Sequence, residues 1–148
     1  MGLILVVEDN ALVVDAMRAL LEATGHEVAT ASSVGETVER CRERMPSLML
    51  LDITLPDGSG LDALARLAAD GGSPPITVAL TGHDDPALTR ACREAGCRAV
   101  LLKPVPAREL MRLVREWMDE VDAVDAASAA GVGERRPAEP EGEADRAR

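Results

Sequence analysis

Short apolar runs recur along the chain at Leu3 to Val7, Leu48 to Leu51, Ile76 to Leu80 and Ala99 to Leu102. Unbroken runs of this length suit strands covered on both faces, the situation of a parallel sheet. A further run, Glu27 to Ala31, is partly polar and reads as an edge strand. Between the runs, apolar residues return at helical spacing. Val13, Met17, Leu20 and Thr24 predict one buried face, and Val34, Val38, Cys41 and Met45 a second. Leu61, Leu64 and Ala68 predict a third, Leu88, Ala91, Cys92 and Ala95 a fourth, and Leu110, Leu113, Val114, Trp117 and Val121 a last.

The punctuation between elements agrees with this reading. Ser33 with Glu36 predicts a capping box, and Asp85 before Pro86 predicts a cap followed by proline at the first helical position. Gly25, Gly71 and Gly96 stand where helices should stop. Strands alternating with helices give an α/β class with a mostly parallel sheet. Gly58, Gly60 and Ala63 match a GxGxxA dinucleotide fingerprint, but Pro56 and Asp57 separate it from the strand before, so turn chemistry explains the glycines better.

A chain of 148 residues with 47% apolar content supports one ordinary domain. Residues 1–122 carry the periodic pattern. Residues 123–148, rich in Ala, Glu, Arg and Pro, lack it and predict a disordered tail. No apolar run approaches the ~18 residues of a membrane span and no signal peptide opens the chain, so a cytoplasmic protein without membrane contact is expected. Acidic residues number 26 against 16 basic, a net charge of −10, which disfavours direct nucleic-acid binding. Trp117 is the only aromatic residue, so the core must be aliphatic and no platform exists to stack a flavin or nucleobase. Cys41, Cys92 and Cys97 show neither CxxC spacing nor clustered His, which predicts buried thiols rather than a zinc site or disulfide framework.

Ligands of open parallel sheets bind beyond the carboxyl ends of the strands. The residues that follow the buried runs are Glu8 and Asp9, then Asp52, then Thr81, then Lys103, the only lysine in the chain. Three carboxylates held together repel one another, and a hard divalent cation such as Mg²⁺ relieves that repulsion. A lysine supplies a compact charge for a phosphoryl oxygen, a threonine hydroxyl can hydrogen-bond one, and a carboxylate can attack phosphorus. The set reads as a phosphoryl-transfer constellation.

The segments Val7-Glu8-Asp9, Leu51-Asp52-Ile53-Thr54-Leu55-Pro56-Asp57-Gly58, Leu80-Thr81-Gly82 and Leu101-Leu102-Lys103-Pro104 resemble the response regulator receiver domain in order and separation. The resemblance spans roughly residues 2–121. It implies a flavodoxin-like (βα)5 fold, doubly wound around a parallel five-stranded sheet of order 2-1-3-4-5. It implies Asp52 as phosphoacceptor, with Lys103 and Thr81 on the phosphoryl group, and Mg²⁺ held by Glu8, Asp9, Asp52 and the carbonyl of Thr54. It implies a cis Lys103–Pro104 bond, a histidine kinase or phosphotransfer protein as donor, and a downstream protein partner. Arg90, Arg93, Arg112 and Trp117 are the residues expected on that partner's face. The protein is expected to be a signalling switch with self-catalysed phosphorylation and dephosphorylation, not an enzyme.

One position departs from the family pattern. Val100 stands where a Tyr or Phe usually precedes the lysine by three residues, and valine cannot repeat the ring's inward and outward swing. That departure keeps a non-switching binding scaffold open as an alternative, as is a receiver detached from a hybrid histidine kinase. A haloacid-dehalogenase-type phosphohydrolase is disfavoured, because Thr54 occupies the place of its second acid. His83, two residues past Thr81, reads as solvated, and His26 as structural.

Overall fold

The computed structural model describes residues 2–132, with side chains as far as Ala123. Strands β1 (Leu3–Val7), β2 (Glu27–Ala31), β3 (Leu48–Asp52), β6 (Ile76–Thr81) and β7 (Ala99–Leu102) form one parallel sheet of order β2-β1-β3-β6-β7. A two-residue-per-strand antiparallel ribbon, β4 (Thr54–Leu55) with β5 (Gly58–Ser59), follows β3. It is too short for a hydrophobic pattern to announce. With the ribbon set aside, the sheet has the expected 2-1-3-4-5 order.

Helices α1 (Ala11–Ala23), α2 (Val34–Glu43), α3 (Gly60–Ala69), α4 (Pro86–Glu94) and α5 (Ala107–Val132) cover both faces. The alternation of β-strand side chains sorts the core into two layers. Leu5, Val7, Met49, Leu51 and Ala79 pack with α2, α3 and α4; Ile4, Val6, Leu48, Leu50, Val78 and Leu80 pack with α1 and α5. Each such aliphatic burial contributes about 1.5–3 kcal/mol, whereas a solvent-screened pair such as Arg42–Asp70 adds little. Aliphatic packing holds this fold.

The edge strand β2 is screened rather than left open. Arg40 Nε donates to Thr30 O at 3.2 Å, and Arg44 forms a two-pronged ion pair with Glu27. Charged groups laid along an edge discourage pairing with another strand.

Several local expectations change in the folded chain. On α1 the buried residues are Met17 and Leu21, whereas Val13 is 39% and Leu12 80% exposed, and Thr24 is the exposed C-cap. The first turn of α1 faces a groove toward Pro104 and Val105 instead of the sheet, so its apolar residues find no core. Met45 lies past the end of α2 and is 45% exposed. Ser33 accepts from Glu36 N, but the Glu36 carboxylate accepts from Ser32, so only half of a capping box forms there. The complete box is Ser59 with Asp62 on α3, a pairing the ribbon sets up and the sequence reading missed. Asp85 caps α4 as expected, and Gly25, Gly71 and Gly96 all take positive φ.

Helix α5 continues to Val132, so residues 123–132 are helical where composition predicts disorder. Ala123, Ala126, Ala127, Ala129 and Ala130 are the reason, because alanine is the strongest helix former and needs no buried face to propagate. The rest of the predicted tail, residues 133–148, lies outside the described residues.

Candidate functional site

Register, more than any local sequence, brings the site together. Val7 pairs with Leu51, Asp52 with Leu80, and Thr81 with Leu102, so β1, β3, β6 and β7 end side by side at one edge. Glu8, Asp52 and Thr81 are buried there, while Asp9 is exposed and Lys103 half-buried.

Lys103 Nζ donates to Glu8 Oε1 and to Asp52 Oδ2, each at 3.0 Å. The other oxygens are also engaged: Asn10 N donates to Glu8 Oε2 at 3.1 Å and Thr54 N to Asp52 Oδ1 at 3.0 Å. Burial works against the Lys103 ammonium, but the hydrogen bonds and charges of Glu8 and Asp52 outweigh it and hold its pKa above the ordinary lysine value. Asn10 has a second role, since its Oδ1 caps α1 through Leu12 N and Val13 N. The sequence analysis did not single out Asn10, although an Asn directly before an apolar helical stripe is an N-cap signal.

A carboxylate oxygen from each of Glu8, Asp9 and Asp52 lies within 4.8 Å of the others. Three carboxylates face one ammonium, and Asp9 has no hydrogen-bond partner among the described residues. An oxygen-rich cluster with unbalanced negative charge fits a hard divalent cation.

Thr81 lies at the same edge but is turned elsewhere. Its Oγ1 accepts from His83 N at 3.1 Å, inside the β6–α4 loop, and His83 itself is exposed. The Lys103–Pro104 bond is cis, and Lys103 N donates to Thr81 O at 2.7 Å. Gly60 lets the first turn of α3 approach the end of β3. Its N–H donates to Ile53 O at 2.8 Å, and a Cβ there would meet the Asp52 carbonyl oxygen at 2.4 Å.

The expected partner face needs one correction. Trp117 is 8% exposed and packs in the core with Leu110, Val114 and Met118, so it cannot present itself to a partner. Its position in the apolar stripe of α5 decides this. Arg90 and Arg93 are exposed on α4, and Arg112 pairs with Glu116 at 2.9 Å.

The fold and site together define a doubly wound α/β module with an acidic pocket at the carboxyl edge of its sheet. Residues 4–115 match the response regulator receiver domain, and the chain belongs to that family. Membership implies phosphorylation-dependent signalling. Among relatives, the polar-differentiation response regulator DivK of Brucella ovis is 31% identical over 118 residues, covering 79% of this chain and 96% of that protein. A CheY-like receiver domain protein from Methanospirillum hungatei superposes with a TM-score of 0.77 at 28% identity, over 83% of this chain and 98% of that one. A receiver domain protein from Clostridium thermocellum gives 0.73 at 27% identity, over 84% and 99% of the two chains. No described helix is long and apolar enough to cross a membrane.

Proposed function

We propose that this protein is a cytoplasmic switch that accepts a phosphoryl group on Asp52 from a histidine kinase or phosphotransfer protein, with output through protein–protein contacts. The observation that carries the reading is the double contact of Lys103 with Asp52 and Glu8 beside an unpaired Asp9. Glu8, Asp9, Asp52 and the backbone of Thr54 are the residues that would hold Mg²⁺. When bound, that ion would neutralise charge gathering between the carboxylates and the incoming phosphoryl oxygens.

Asp52 then supplies the nucleophile. A carboxylate oxygen forms a bond to phosphorus as the bond to the donor breaks, yielding an acyl phosphate. Lys103 is positioned to exchange an Asp52 oxygen for a phosphoryl oxygen while keeping Glu8. Thr81 must leave His83 N to reach that group. The protein acts on its own aspartate and releases phosphate by hydrolysis, so it is a switch and not an enzyme with a separate substrate.

Intact mass after incubation with acetyl phosphate and Mg²⁺ tests the reading. The expected result is one added phosphoryl group in the wild type and none in Asp52→Ala or in metal-free protein. Absence of an adduct, together with no beryllofluoride complex, overturns it. The second reading, a non-switching scaffold, is favoured by Val100, a partly buried side chain packed against the core near α4. An adduct that leaves partner binding and amide chemical shifts unchanged would support that reading instead.

A further inference from the structure

Asp57 occupies the tip of the β4–β5 ribbon, three positions past Thr54, and lies outside the carboxylate cluster. Its two oxygens divide between the first amides of α2: Oδ1 accepts from Val34 N at 2.7 Å and Oδ2 from Gly35 N at 3.1 Å. Ser33, the residue that caps α2 from its own segment, takes the Glu36 amide instead. Asp57 therefore satisfies orphan donors that the helix cannot satisfy locally, and in doing so joins two elements distant in sequence.

The ribbon is thus pinned at both ends. At its root Gly60 N donates to Ile53 O at 2.8 Å, and Thr54 pairs with Ser59. At its tip the Asp57 carboxylate holds α2, with Gly58 at φ +149° making the turn between them. Thr54, whose amide donates to Asp52 Oδ1, sits between the two pins. A two-stranded ribbon this short has little stability of its own, so its orientation depends on what anchors it.

We propose that Asp57 is a positioning residue for the cation site: by clamping the ribbon tip to α2 it holds the Thr54 segment against Asp52, and the cluster's affinity for Mg²⁺ depends on it. This deepens the proposed function and rests on its cation reading. Groups one step removed from metal ligands commonly set affinity by fixing the orientation of those ligands.

The test is calorimetric titration of Mg²⁺ into the full chain, with the amide shift of Thr54 followed by NMR. Asp57→Ala is expected to bind Mg²⁺ about tenfold more weakly than wild type, with a displaced Thr54 amide resonance in the metal-free protein. Asp57→Asn keeps one acceptor for Val34 N and is expected to fall between the two, which keeps the test usable if Asp57→Ala fails to fold. Val114→Ala, a core truncation on the opposite face of the sheet, should lower stability and leave Mg²⁺ affinity unchanged. Wild-type affinity in a folded Asp57 variant, or equal weakening in Val114→Ala, overturns the inference alone. No Mg²⁺ binding by the wild type overturns the cation reading, and this inference with it.

Discussion

Lys103 Nζ stands 3.0 Å from Asp52 Oδ2 and 3.0 Å from Glu8 Oε1, so one ammonium holds two buried carboxylates at adjacent strand ends. Without that ammonium both carboxylates would lie buried with no cationic partner, and leaving one member of such a pair unmatched is destabilising.

Lys103→Met should therefore lower the thermal midpoint in metal-free buffer, with a loss of about 1–3 kcal/mol expected where buried acceptors lose the donor they share. Mg²⁺ should restore more stability to this variant than to the wild type, since it replaces the missing cation. Differential scanning calorimetry with and without Mg²⁺ measures both; equal Mg²⁺ effects would contradict the assignment.

Gly60→Ala tests the close approach of α3 to the end of β3. The added Cβ would meet the Asp52 carbonyl oxygen at 2.4 Å and the Leu51 side chain at 3.0 Å. Backbone cannot give way as a side chain can, so a destabilisation of about 2 kcal/mol is expected, read from urea unfolding. A neutral result would show that the end of β3 relaxes freely.

The orientation of α1 is tested by two leucines. Leu21→Ala, at a fully buried position, should cost about 3 kcal/mol. Leu12→Ser, at a position 80% exposed, should stay within about 0.5 kcal/mol of wild type. Similar costs for the two would place the helix on the wrong face.

The cysteines should be slow to react. Burial pushes the Cys97 thiol up to about 12 and the Cys41 thiol up to about 11, and burial also raises Cys92. Cys92 and Cys97 close the C-terminus of α4, where Cys97 N donates to Cys92 O at 3.0 Å. At pH 8 an aromatic disulfide reagent should label none of the three within minutes in folded protein and all three in urea. Rapid labelling of the native state would show that α4 opens.

Acid unfolding carries the mark of Asp57. Backbone amides of Val34 and Gly35 hold its carboxyl below the ordinary aspartate value. A folded-state pKa below the unfolded one adds stability above the unfolded value of about 3.8, and that stability is lost as pH falls through the folded value. Asp57→Asn should therefore lose less stability than wild type between pH 5 and 3, as read from urea midpoints at each pH.

The strand runs, their alternation with helices and the residues at the strand exits were all legible in the chain, because period and burial are local properties of a segment. Glu8, Asp9, Asp52, Thr81 and Lys103 could be grouped from sequence since parallel strands of an α/β sheet all leave at one edge. The five-stranded order came with the family resemblance, and the register then confirmed which strand ends adjoin. What the sequence could not carry was choice among contacts. The α1 stripe of Val13, Met17, Leu20 and Thr24 and the buried pair Met17 and Leu21 are both helical; only the packing of α1 against Ile4 and Val6 of the sheet and against α5 decides between them. Trp117 could have faced either core or partner until α5 was placed on the sheet. Asp57 reaches α2 across 22 and 23 positions of sequence, and Lys103 reaches Glu8 across 95. Such bonds depend on where the backbone returns in space, which is a property of the packed sheet and not of any segment within it.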